Sequence, residues 1–200
     1  MIRSLVAAAC ASTLLSMSLS TAAEAAGVRV RGAIKAISDN SVTVATSAGQ
    51  DVKVKLANPV VLLYRDIAFS EVPKNAYVAV PSIAAPDGAR RALGLIVFPE
   101  KMRGLNEGFK AWDLGTESKM TNATLAKVTD KGGERVLTVT YGATSQKVLV
   151  PRYVPITTFA PAPDRKLEVG LNVVIFADDK TGALTGKFVG VHENGDLPPI

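Results

Sequence analysis

An all-β fold is what this sequence predicts, on three observations. Apolar and polar residues alternate with a period of two in one segment after another, and Gly, Pro, Asn and Asp punctuate those segments at short intervals. The order of segments in residues 28–99 is then met again in residues 119–191. No stretch carries a convincing helical period.

Val28, Val30, Ile34 and Ala36 alternate with Arg29, Arg31 and Lys35, the pattern of a strand with one buried face. Ser38-Asp39-Asn40 turns into a second strand through Val42 and Val44. Ser47-Ala48-Gly49-Gln50 turns again into Val52, Val54 and Leu56, completing a three-stranded meander. Asn58-Pro59 is read as its end. A short apolar strand follows at Val60 to Tyr64, then Ile67, Phe69 and Val72 as a barrel cap, then strands at Tyr77 to Val80 and Ala92 to Phe98 around the turn Pro86-Asp87-Gly88.

In the second half, strands are expected at Met120 to Val128, Arg135 to Tyr141 and Gln146 to Val150, the first two joined by Asp130-Lys131-Gly132-Gly133. Pro151, Pro155, Pro161 and Pro163 keep the next stretch out of central strands. Val173 to Ala177 and Phe188 to Val191 close the set. Glu71 to Asn75 before Tyr77 echoes Glu168 to Asn172 before Val173, and Leu93 to Val97 echoes Thr185 to Val189. A meander plus a returning pair, written twice, predicts two tandem small OB-like β-barrels related by internal duplication. The expected division is a first barrel over 26–100, an irregular central Trp-containing linker over 101–118 and a second barrel over 119–200.

Residues 1–25 have the layout of a cleaved secretory signal peptide. Arg3 gives the basic start, Leu5 to Leu19 the apolar core, and Ala23-Glu24-Ala25 the cleavage site. The expected location is the periplasm. No later run reaches the roughly 18 apolar residues of a membrane-spanning helix. The one cysteine, Cys10, lies inside the signal, so the exported chain has neither disulfides nor thiolate metal sites and must rely on a packed core. Arg3 and Glu24 cancel, which leaves the formal charge of +5 on the exported part. That charge suits a solvated surface, or a basic face for a polyanionic envelope partner.

The central linker holds the only Trp. Trp112 and Asp113, with Arg103 and Glu107, form the candidate ligand-binding set, an aromatic face beside charges on a glycine-bearing loop. The alternative is that Trp112 plugs the seam between the barrels, with the charges paired around it. His192, the single histidine, has no second His or Cys to build a metal site and reads as an exposed or capping residue. Asp178-Asp179 and Asp196 lack calcium-loop spacing. Met102 and Met120 read as core packing. No phosphate loop, nucleophile elbow or paired-carboxylate pattern is present, so no catalytic residue, metal ligand or cofactor is expected.

Val30-Arg31-Gly32-Ala33-Ile34 with Ser41 to Val44, Glu107-Gly108 with Trp112-Asp113-Leu114, Ser118 to Thr124, and the ending Asn194 to Ile200 carry a resemblance. Together they are similar to an uncharacterised family of short exported proteobacterial proteins, and each half resembles the small all-β domain called DUF5666. The resemblance implies an exported tandem OB-like protein with no assigned activity. The expected function is a non-enzymatic periplasmic binding or envelope-associated module that takes neither nucleic acid nor a membrane span. Members of that family are also connected with metal-transport permeases, which implies as second reading a periplasmic accessory in metal homeostasis or transport. A hydrolase is the third.

Overall fold

The alternating segments do form strands, and among the described residues one sheet takes in thirteen strands in all. A computed structural model describes residues 27–180 and 182–200. The signal-peptide reading of 1–25, with Cys10, lies outside the described residues. The strands are β1 (Val28–Ser38), β2 (Ser41–Thr46), β3 (Asp51–Asp66), β4 (Tyr77–Ala84), β5 (Arg90–Ala92), β6 (Leu95–Val97), β7 (Gly108–Ala111), β8 (Lys119–Lys131), β9 (Glu134–Tyr141), β10 (Thr144–Val150), β11 (Ile156–Pro161), β12 (Asn172–Lys180) and β13 (Ala183–His192). Among the described residues helix is confined to single 3-10 turns at Phe69–Glu71, Pro86–Gly88 and Glu100–Met102. Among the described residues no helix is long and apolar enough to cross a membrane.

The pairings close on themselves twice. β1, β2 and β3 run as an antiparallel meander, β12 and β13 complete the circle, and β13 lies parallel to β3. β8, β9 and β10 form the same meander, completed by β4 antiparallel to β8 and by β5 parallel to β10. Each ring therefore takes its meander from one half of the sequence and its returning strands from the other. This corrects the expected division into self-contained barrels over 26–100 and 119–200. Local alternation gives each strand a buried face but does not say which ring buries it, and each ring's returning pair lies in the other half of the chain.

β11 joins the rings, antiparallel to β3 and parallel to β6. The prolines around it were expected to exclude a central strand. Pro155 instead precedes the strand and Pro161 ends it, so the ladder between loses no donor to proline. Asn58-Pro59 does not end β3 either. Asn58 takes a left-handed backbone conformation (φ 52°), and the strand continues while its partners change from β2 to β13 and then β11.

Period two then sorts the side chains into three cores. Val30, Ile34, Val44, Val54, Ile175 and Val191 fill the first ring; Val78, Val80, Leu95, Leu137, Val139 and Val148 fill the second. Ile67, Phe69 and Val72 do pack on a barrel core, but on that of the second ring. The residues in between, among them Leu62, Tyr64, Ala79, Ile96, Phe159 and Val174, form a third cluster where the outer faces of the rings meet. Runs such as Val173-Val174-Ile175-Phe176 are apolar without alternation because both faces of those strands are covered.

Gly32 lets β1 bend between its two partners, β12 and β2. Its φ is 151°, and a Cβ there would run into the carbonyl oxygen of Ala45 on β2.

Candidate functional site

The central segment is an edge strand folded onto β8. In β7, Gly108 stands opposite Asn122 and Lys110 opposite Met120; the ladder continues with the Trp112 N–H donating to the Ser118 carbonyl at 2.9 Å. Buried Ser118 fixes the turn beyond, since its hydroxyl accepts from the Leu114 N–H at 3.1 Å. Alternate residues of this strand share a face, so Gly108, Lys110 and Trp112 look the same way as Met120 and Asn122. Phe109 points to the other side, where the Arg90 guanidinium lies 5.5 Å from its ring centre.

The shared face overlooks a cavity of about 340 Å³ between the rings. Its lining takes in the single Trp, one of the four Tyr and four of the six Phe, so the aromatic side chains are concentrated there. Phe159 organises the wall, with ring centres 5.1 Å from Tyr64 and 5.4 Å from Phe98. Leu105, Lys110 and Phe188, all exposed, mark the side where the cavity meets solvent. Burial pushes the Tyr64 hydroxyl far above its ordinary pKa, which keeps this wall uncharged.

Two polar groups of the lining residues are buried without a hydrogen-bond partner: Trp112 Nε1 and Asn122 Oδ1. Asn122 is only 8% exposed, and its amide nitrogen is already committed to the Leu105 carbonyl at 3.1 Å. Both atoms are closed off from solvent and cavity alike, so each carries the free-energy cost of an unmet buried group.

The four residues singled out in the sequence do not converge. Trp112 alone lines the cavity. Arg29 lies over its ring at 3.9 Å and donates to Asp113 Oδ1 at 2.9 Å, while Arg31 grips both Asp113 oxygens at 2.8 and 2.9 Å. Burial on its own would raise the Asp113 carboxyl, but the hydrogen bonds and charges of Arg31 and then Arg29 outweigh it and hold the group below its ordinary pKa. Asp113 therefore clamps the central segment to β1. Arg103 is held by Glu100 at 2.6 and 2.8 Å and by the Asn75 carbonyl at 2.9 Å. Glu107 accepts the Gly142 N–H at 2.7 Å. Glu107 also adds to the burial that pushes the Tyr77 hydroxyl up to about 12, against the opposing charge of Arg103. Arg103, Glu107 and Asp113 thus fasten the segment to its surroundings, and Trp112 both closes the seam and walls a space.

The sequence reading missed the rest of the wall: Tyr64, Phe98, Phe159, Phe176 and Phe188. Their available signal was position, since each sits in or beside an apolar run too continuous for a strand with one wet face. His192 is a cap, but a buried one. It is 3% exposed, with Nδ1 2.7 Å from Asn194 Oδ1 and Nε2 3.4 Å from Asp66. Met102 and Met120 pack in the third cluster. Among the described residues no group of three or more His, Cys, Asp or Glu stands together as a metal site.

Comparison of the chain with protein-family models, with curated proteins and with solved structures found no match in any of the three.

Proposed function

We propose that this chain is an exported, non-enzymatic binding protein that holds an apolar small molecule in the cavity between two OB-like barrels. The barrels are read as products of a duplication whose returning strands have been exchanged, since both rings share one pairing scheme. The layout of residues 1–25 supports export to the periplasm. The observation that carries the binding reading is the cavity between the rings, in which most of the aromatic side chains are gathered. Binding is favoured over catalysis because the charged groups nearest Trp112 are consumed in pairing with one another.

The neutral dye N-phenyl-1-naphthylamine tests this. Saturable binding at one site per chain, with a change in the emission of Trp112, is expected. Ala79→Phe projects a ring from β4 into the cavity and should abolish it, with a melting curve confirming that the variant folds. Dye uptake that does not saturate, or that survives Ala79→Phe in the folded variant, overturns the reading.

A further inference from the structure

The aromatic rings along the cavity are arranged as well as gathered. From Tyr77 through Phe98 and Phe159 to Tyr64, successive ring centres stand 5.2, 5.4 and 5.1 Å apart, with interplanar angles of 58°, 74° and 33°. Tilted pairs at that spacing set the positive edge of one ring against the negative face of the next. The last three of those rings line the cavity, together with Trp112, Phe176 and Phe188. We propose, resting on the binding reading above, that the ligand is an aromatic body of about two fused rings. Such a body has edges and faces of its own and continues the series, whereas a saturated ring or an acyl chain brings only apolar surface. Met102 and Met120, also in the lining, add two thioethers, which favour contact with the edge of an aromatic ring. Size agrees, since about 150 Å³ of apolar cavity accommodates one benzene ring and the space here is about 340 Å³.

Aromatic walls also serve cations and sugars, and the lining argues against both. A cation seeks the face of a ring, but Arg29 already holds that place on Trp112 at 3.9 Å, and the lining sets Arg29 and Lys110 against no Asp or Glu among the described residues. A sugar needs several placed hydrogen-bonding side chains. Among the described residues the lining contains no Ser, Thr or His, and Asn122 has its nitrogen bonded to the Leu105 carbonyl and its oxygen closed off.

Calorimetric titration of the purified protein compares 2-naphthol with decahydro-2-naphthol, which has the same skeleton and hydroxyl but no π-system. The saturated alcohol presents no less apolar surface, so hydrophobic burial alone gives equal affinities or favours it. 2-Naphthol is expected to bind about tenfold tighter. Phe159→Leu keeps an apolar side chain in the series but removes a ring, and should cut that ratio to about threefold or less in a variant whose melting curve shows it folded. A wild-type ratio of one or below overturns the aromatic class while the binding reading stands, and this arm decides alone if Phe159→Leu does not fold. A ratio that folded Phe159→Leu leaves intact overturns the ring series as the source of the preference. If N-phenyl-1-naphthylamine binds and neither alcohol displaces it, the class is wrong; if that dye fails to bind, the binding reading falls as well.

Discussion

Asp113 shows how a residue in a candidate site can be structural. It satisfies two guanidiniums whose side chains are 17% and 15% exposed, so losing it leaves neighbouring like charges in a poorly hydrated place. Asp113→Asn should lower stability by about 1–2 kcal/mol, a figure reduced for the half-exposed position of the carboxylate itself. Because folding depresses this carboxyl, its contribution is fully present above the pKa of the unfolded chain, about 4, and is lost as pH falls below that. Denaturant unfolding at pH 7 and pH 3 should show the wild type losing that increment and Asp113→Asn having none of it to lose. Gly32 makes a sharper case. With φ at 151° and the Ala45 carbonyl in the path of any Cβ, Gly32→Ala should cost about 3 kcal/mol or more, read from the same unfolding curves. Trp112 was legible in the sequence as the residue to watch, because a lone Trp on a glycine-bearing segment is conspicuous. Its charged neighbours misled, since proximity in sequence put Arg103, Glu107 and Asp113 beside it, whereas period two along β7 sends Lys110 into the cavity and Asp113 to Arg29 and Arg31.

Strands were legible to within a few residues wherever one face is wet, as in β1, β2, β9 and β10. They were not where partners change along the strand. β3 runs past Asn58-Pro59 because a left-handed Asn absorbs the irregularity, and Ala92 to Phe98 divides into β5 and β6. β7 escaped notice because four residues are too few to establish a period, and its apolar Phe109 and Ala111 are exposed. β11 matters most at this level, since it is the ladder shared by both rings, and Phe159 on it touches Tyr64 and Phe98. Phe159→Ala should cost about 3 kcal/mol, the lower end for such a truncation because the ring already borders open space. Circular dichroism and Trp112 fluorescence should then still report one coincident transition, at lower denaturant. Two separated transitions would show that the rings unfold independently and that β11 is merely appended.

The crossed wiring of the returning strands sets the behaviour of the whole molecule. Neither half of the sequence contains a closed ring: β1 to β6 hold one meander and the other ring's return, and β7 to β13 hold the reverse. Cutting the exposed connection between Gly104 and Leu105 should therefore yield two fragments that show no cooperative unfolding alone. Mixed in equal amounts, they should recover a cooperative transition and the emission of a shielded Trp112. A cooperative transition in either isolated fragment would refute this. The echoes were readable because each lies within a few residues, while the crossed wiring depends on pairings as distant as Val28 with Ala177, which no local pattern encodes.

The same wiring has a consequence in time. A chain is made from its N-terminus, so the meander of β1 to β3 is complete while β12 and β13 do not yet exist. At ordinary synthesis rates, the hundred or so residues between them take on the order of ten seconds. Throughout that interval β1 and β3 present open ladder edges and an uncovered apolar face, the condition in which strands join the wrong neighbour. β8 to β10 face no such wait, because β4 and β5 precede them and can receive each strand as it emerges. The second ring in the sequence should accordingly be the first to close, and a free chain ending at Val150 should already protect Val139 and Val148 while leaving Val30 and Val54 open to exchange. The first strands made are the last to be sealed, and they depend on whatever shelters an unfinished chain.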